Sequence, residues 1–315
     1  MTTRTLPDPS PSPAPLAARV ERWREQVRDL LDAEIAAAPI PEPLRAAVRY
    51  GSTAAPASRW RAVLVLEVGR VVGADSAACL FAAAAVEALH CATLSVDDLP
   101  CMDDASQRRG QPAMHRRFNE ALAIQAALWL LGLSRSLGTR AATAGATPPD
   151  GCWATSAAAL AAAQQTTEDA LHRGQFLDMM GMLGRVDVDA EEVALLKCGR
   201  LFGLAAQAPA WLPASRLLGA ELQEALLEFG AAVGVAYQIR DDLDDAREDE
   251  EAASWRGAGV PGRPTVVAAL GRDAAADRVD CFRHAAARAL EPLAAAGFDA
   301  AALVTLADRM LGRPE

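Results

Sequence analysis

The sequence predicts an all-α protein folded as one helical bundle, and three observations carry that prediction. Apolar residues make up 51% of the 315-residue chain while aromatics make up only 5%. The apolar content therefore rests on alanine and leucine, which favour helix. Alternation with period two, the mark of half-buried strands, is scarce, whereas apolar spacing of i, i+3, i+4 recurs along the chain. Strands should be minor or absent, and a chain of this length can bury a large core.

Residues 1–15, MTTRTLPDPSPSPAP, read as a Pro/Ser-rich tail expected to be disordered, with 16–315 as the folded domain. The tail lacks the charged-then-apolar layout of a signal peptide. Val20, Trp23, Val27, Leu30, Leu31 and Ile35 predict a helix over 16–38, which Pro39, Pro41 and Pro43 end. A second helix is expected over 42–50. After the loop GSTAAPAS a third is expected over 60–72, with Gly73 and Asp75 making the turn. Residues 76–95 form a helix so rich in alanine that its neighbours can pack very close, which suits a central element.

That helix delivers the stretch around which the chain is organised, VDDLPCMDDASQRRG, residues 96–110. Asp97, Asp98, Asp103 and Asp104 crowd one helix end, where the dipole already disfavours negative charge. Such crowding calls for a cation, and Mg²⁺ takes carboxylate oxygens together with substrate phosphate. Arg108 and Arg109 follow at once, and guanidinium groups grip phosphate oxygens. Read alone, the stretch is equally well a solvated acidic turn beside surface arginines.

Further helices are expected over 119–140, 155–183, 190–207 and 217–243, with TAGATPPDG, residues 143–151, as a surface connection. The last of these helices ends in a second acidic cluster, Asp241, Asp242, Asp244 and Asp245. Residues 241 and 245 stand one turn apart, so their carboxylates share a face. Two acidic clusters, each at the end of a long apolar helix, point to metal ions held around one diphosphate.

Composition narrows the rest. A net charge of -10 argues against nucleic acid as the main partner. No uninterrupted charge-free apolar run reaches the length of a membrane span, so no integral membrane segment and a cytoplasmic location are expected. Cys79, Cys91, Cys101, Cys152, Cys198 and Cys281 contain no CxxC pair and read as reduced core thiols. His115, His172 and His284 show no ligand spacing, which gives no zinc site. Of the 31 lysines and arginines only Lys197 is lysine, so that position needs an ammonium in particular or is a leftover surface residue.

These motifs resemble those of the trans-isoprenyl diphosphate synthases, the polyprenyl synthetase family, over about residues 45–311. DDLPCMDD followed by RRG, with Pro112, His115 and FNEALAI in the family's order, is the most specific part. The six-residue spacing of the first motif is similar to the bacterial and plant subtype. The resemblance implies an all-α bundle of the isoprenoid synthase type with a central cavity. It further implies Mg²⁺, in three ions, held by Asp97, Asp98, Asp103, Asp241, Asp242 and Asp245. Lys197 and Gln238 would act beside the allylic diphosphate, with Gln175 of Gly174-Gln175-Phe176-Leu177-Asp178 lining the same cavity. Arg59, Arg61, His90, Arg108, Arg109 and Arg263 would bind substrate. Ala92 and Thr93 would form the floor under the growing chain; both are small, which implies a product near twenty carbons. A homodimer paired through the helices that carry the first motif is also implied.

The implied reaction condenses isopentenyl diphosphate with an allylic prenyl diphosphate. The sequence departs from the family in places: Ser58 stands where a lysine of the isopentenyl site belongs, Cys198 replaces a threonine and Arg240 a glutamine. Of the two downstream lysines, Arg256 and Arg263 take the places. Two other readings stay open, a terpene cyclase that ionises a prenyl diphosphate without isopentenyl diphosphate, and a non-catalytic regulatory subunit.

Overall fold

The computed structural model describes residues 15–54, 57–144, 153–213, 218–256 and 265–312. The tail expected to be disordered, the connection near 145–152, Cys152 and Arg263 lie outside the described residues. Helices run α1 (Leu16–Ala37), α2 (Glu42–Arg49), α3 (Trp60–Val72) and α4 (Ser76–Asp97). A two-residue antiparallel ladder, β1 (Gln107–Arg108) with β2 (Gln111–Pro112), is the strand content among the described residues. Then come α5 (Met114–Arg117), α6 (Glu120–Thr143), α7 (Trp153–Met182), α8 (Ala190–Ala194), α9 (Arg200–Gln207) and α10 (Ala220–Arg256). The chain closes with α11 (Val266–Leu270), α12 (Arg272–Ala289), α13 (Glu291–Ala295) and α14 (Ala300–Met310).

The elements follow from local chemistry. On α1 the stripe Val20, Trp23, Val27, Leu31 and Ile35 is buried, each aliphatic member contributing about 2 kcal/mol. Asp75 caps α4 by accepting the amide of Ala78 at 2.9 Å, and Asn119 does the same for α6 from Leu122 at 2.8 Å. Alanines on α4 let α3 and α6 close on it, and α4 is the central helix of the main core. Glu67 of α3, fully buried, ties this layer to α1 through Arg19 at 3.0 Å and to its own helix through Arg70 at 2.8 Å.

Several expectations need correction. The span expected as one helix over 190–207 is interrupted by a π turn, Leu195–Gly199, and a second π turn, Tyr50–Ala54, follows α2. α10 does not end at its acidic cluster but continues to Arg256, so that cluster lies within the helix. α4 and α6 are long and apolar enough, by length and composition, to cross a membrane, though neither is a charge-free run, since α4 carries Glu87 and α6 carries Arg135 and Arg140. Inside the protein, 67% of the apolar window of α4 and 44% of that of α6 is buried. Finally, Cys79, Cys91 and Cys198 are buried thiols as expected, but Cys101 and Cys281 are exposed.

Candidate active site

The first acidic motif is a folded loop. Asp97 is the last residue of α4 and Asp98 its C-cap. The amide of Asp103 donates to the carbonyl of Asp97 at 2.9 Å and that of Asp104 to Leu99 at 3.0 Å. The loop therefore curls Asp103 back towards the helix end. Asp98 is buried, and Arg108 donates to it from Nε at 2.9 Å. Burial lowers the Arg108 pKa, but its hydrogen bond to Asp98 and the charges of Asp98, Asp97 and Asp103 outweigh burial and hold it raised. The cation that the crowded aspartates require is supplied here by a guanidinium.

Arg109 and Gly110 join β1 to β2 with φ of 54° and 73°. Left-handed residues at both centres of a two-residue loop make a type I′ hairpin, in which arginine is a strained occupant by about 1 kcal/mol. The strain has a partner. Glu87, fully buried on α4, lies 4.0 Å from Arg109 and 3.8 Å from Arg59, itself at φ 46°. Burial lowers the Arg59 pKa, Glu87 opposes that, and Arg109 and Arg28 add to the lowering. A buried carboxylate thus anchors two cations drawn from different loops.

The loop around Ser58 is held from α1. Arg24 donates from Nε to the Ser58 carbonyl at 2.7 Å and lies 4.4 Å over the Trp60 ring, which accounts for an indole among arginines.

Arg61 joins three elements. Its Nη1 lies 3.2 Å from His90 Nε2, its Nη2 donates to Cys198 Sγ at 3.1 Å, and its guanidinium stacks 4.4 Å from the Phe202 ring. Burial, with the fields of Arg61, Arg109 and Arg108, pushes the His90 pKa well below its ordinary value. His90 is neutral, and since arginine only donates, the imidazole accepts at Nε2 and carries its proton on Nδ1. Lys197 sits in the π turn and pairs with Asp178 of α7. Gly174 makes that approach possible: a Cβ there would stand 2.8 Å from Leu196 Cβ and 3.0 Å from the Lys197 amide. Gln175 reaches the first-motif loop, donating to Met102 Sδ at 3.9 Å.

On α10, Gln238 donates to Asp242 at 2.9 Å. Asp241 is open to water, yet its pKa is raised, first by desolvation and less by Asp244, against Arg240, Arg61 and Arg108. The carboxylate is exposed, yet the surrounding protein still withdraws part of its solvation. The fields of Arg61 and Arg108 on Asp241, and those of Asp241 and Asp242 on Cys198, bring the second motif beside the first.

The structure thus gathers Arg61, His90, Arg108, Arg109, Lys197 and Asp241 around α4, α10 and the π turn. A small recess lies beside Arg108 and Arg109, lined also by Asp98, Tyr50 and Gln111 among others. Ala92 is packed in the core, and Thr93 is half-buried with its hydroxyl donating to the His90 carbonyl at 2.8 Å. Arg256 ends α10, its side chain outside the described residues. Glu87 escaped the sequence reading; a glutamate within an otherwise alanine-rich apolar helix was the available signal.

As to a metal, no three His, Cys, Asp or Glu side chains converge into a ready-made cage among the described residues. The donors present are oxygens on two short acidic motifs, the set that suits Mg²⁺ when water and substrate phosphate complete its shell. Asp97, Asp98, Asp103, Asp241, Asp242 and Asp245 fit that role, provided Arg108 yields Asp98.

An all-helical bundle with two aspartate-rich helix segments set against a cluster of arginines defines the class to which this molecule belongs. The profile described as Polyprenyl synthetase matches residues 41–256, and the chain belongs to that family. It is 33% identical over 284 residues to geranylgeranyl pyrophosphate synthase 11, chloroplastic, of Arabidopsis thaliana, covering 85% of this chain and 75% of the relative. It is 34% identical over 239 residues to the geranylgeranyl diphosphate synthase of Pantoea ananas, covering 74% of each. Among solved structures, an FPP/GFPP synthase of Zymomonas mobilis superimposes with a TM-score of 0.75 at 26% identity, covering 93% of this chain and 99% of that one. A geranyltranstransferase of Thermotoga maritima, at 23% identity and a TM-score of 0.76 over 93% and 97% of the two chains, shares the fold.

Proposed function

We propose that residues 16–315 form one isoprenoid synthase domain that condenses isopentenyl diphosphate with an allylic prenyl diphosphate, giving a trans-prenyl diphosphate of about twenty carbons. The observation that carries this reading is the pair of cations anchored by Glu87, Arg59 at 3.8 Å and Arg109 at 4.0 Å, beside the first aspartate motif. A cyclase has no use for a second diphosphate site, and the left-handed backbone at Arg59 and Arg109, both held near Glu87, supports such a site despite Ser58. The relatives named as geranylgeranyl synthases support the same product class.

Three Mg²⁺ ions, bound by the six aspartates, would supply the electrophilic pull on the allylic diphosphate. The chain's own groups do the rest. Lys197, oriented by Asp178, neutralises charge on the departing diphosphate, as do Arg108 and Arg263. Gln238, held by Asp242, would stand beside the allylic substrate. Arg59, Arg61 and Arg109 grip the second diphosphate, with neutral His90 positioning Arg61. The ionised allylic carbon then lies above the apolar face of α4, where water is excluded and the isopentenyl double bond attacks. Proton loss to the diphosphate completes the step without a protein nucleophile.

We further place the enzyme in the cytoplasm as a homodimer. The alanine-rich face of α4, expected to pair two subunits, is consumed within the bundle; α6 instead leaves Ile124 and Leu128 exposed. Pairing through α6 fits that pattern. Purified protein with Mg²⁺, labelled isopentenyl diphosphate and farnesyl diphosphate should yield a labelled prenyl diphosphate. Stimulation of another synthase without turnover of its own would instead make it a regulatory subunit.

A further inference from the structure

The short loop that enters α3 carries two of the cations assigned to the second diphosphate, Arg59 and Arg61, and its backbone is strained. Arg59 has φ 46° and ψ 33°, the left-handed region that a residue with a Cβ avoids. Such a conformation persists only where the surroundings fix it from several sides. The Arg59 guanidinium supplies one anchor, with Nη2 donating to the Ser52 carbonyl at 3.0 Å and Nε standing 3.8 Å from Glu87. The other anchor comes from α1.

Arg24 lies at the edge of the buried stripe Val20, Trp23 and Val27, and its one guanidinium is used in two directions. In its own plane, Nε donates to the Ser58 carbonyl at 2.7 Å; across its face, it covers the Trp60 ring at 4.4 Å. A planar fork can stack and donate edgewise at once, which an ammonium cannot. Glu21, one turn back, holds the outer Nη1 at 2.6 Å, but that carboxylate is exposed and the pair adds little. The Ser58 carbonyl belongs to the peptide plane against which the φ of Arg59 is set, so fixing that carbonyl fixes the left-handed turn. Arg28, on the next turn of α1, adds positive field at Arg59. The match to the Polyprenyl synthetase profile begins at residue 41, so this anchor comes from a helix outside the matched segment.

We propose that Arg24 is a positioning residue for the second diphosphate site: by pinning the peptide between Ser58 and Arg59 against Trp60, it aims Arg59 and Arg61 inward. The proposal rests on the prenyl transfer reading above. Arg61 sits in the first turn of α3, and its contacts with His90 and Cys198 depend on where that helix starts. Without Arg24 the peptide relaxes out of the left-handed region, and Arg59 leaves its place beside Glu87. The allylic diphosphate, assigned to the aspartates of α4 and α10, does not depend on this loop. Affinity for isopentenyl diphosphate therefore falls alone.

Titration calorimetry with isopentenyl diphosphate, given without an allylic partner so that no condensation occurs, reads the site directly. Arg24→Ala should weaken that binding about tenfold, the loss expected of one hydrogen bond from a charged donor. Affinity for an unreactive farnesyl thio-diphosphate with Mg²⁺ should stay within about twofold, and in steady state KM for isopentenyl diphosphate should rise about tenfold while turnover stays within about twofold. Trp60→Leu should reproduce the loss and serves if the first variant does not fold, whereas Trp60→Phe, which keeps a ring under the guanidinium, should not. Unchanged affinity in a folded Arg24→Ala or Trp60→Leu variant, equal loss for both ligands, or equal loss in the two Trp60 variants would overturn the proposal alone. Failure of the wild type to bind isopentenyl diphosphate or incorporate it would overturn the proposal together with the reading on which it rests.

Discussion

Glu87 has no water to share its charge, and the side chains that approach it most closely with opposite charge are Arg59 and Arg109. Removing the charge by Glu87→Gln strands Arg59 in a buried site, and breaking a buried pair costs about 3 kcal/mol. Urea denaturation should register a loss of that size, and the Michaelis constant for isopentenyl diphosphate should rise more than turnover falls. An unchanged stability would mean the two arginines are held by something else.

Cysteine reactivity gives a second test at this scale. Burial first, and Glu87 second, push the Cys91 thiol up to about 12, and burial with Asp75 does the same for Cys79. Alkylation requires thiolate, so at pH 8 Cys101 and Cys281 should be modified first and Cys79 and Cys91 spared in the native state, as read by peptide mass spectrometry.

Asp241 offers the opposite sign to a salt-bridged acid. Its folded pKa lies above the ordinary carboxylate value, so the folded state binds that proton more tightly than the unfolded state. The contribution is fully present below the unfolded pKa and is lost as pH rises through the folded one. At neutral pH the metal-free protein therefore carries an unfavourable charge, and Asp241→Asn should raise its melting temperature while abolishing turnover.

Among the elements, the contact of α7 with the π turn is the most exacting. Gly174→Ala places a methyl against Leu196 and the Lys197 backbone, an overpacking that costs about 1–3 kcal/mol and shifts Lys197 from Asp178. Thermal unfolding and turnover should both fall. The sequence disclosed α1 to α4 to within two residues, because prolines and a glycine punctuate strong apolar stripes. It did not disclose the π turn at Leu195–Gly199, since one extra residue leaves the apolar run unbroken. Nor did it reveal that α10 runs through its acidic cluster to Arg256, because an acidic helix end and an acidic stretch within a helix read alike in sequence.

For the whole molecule, the two aspartate motifs and Lys197 were legible because carboxylates and a lone ammonium are conspicuous on apolar helices. What stayed hidden were groups that matter by distant pairing: Glu87 with Arg59 and Arg109, Arg61 with Cys198, Arg24 with Ser58. Such pairs join residues 22 to 137 positions apart, measured from Glu87 to Arg109 and from Arg61 to Cys198, and no local pattern announces them. The family and the bundle are established, and the proposed second diphosphate site, with Ser58 in its loop, is the part of the account that carries the function.

That site is tested most directly by giving the purified protein Mg²⁺, farnesyl diphosphate and carbon-labelled isopentenyl diphosphate, then separating the products by chain length. The account predicts label in a twenty-carbon prenyl diphosphate. Hydrocarbon formed from the allylic substrate alone, with no label incorporated, would contradict it.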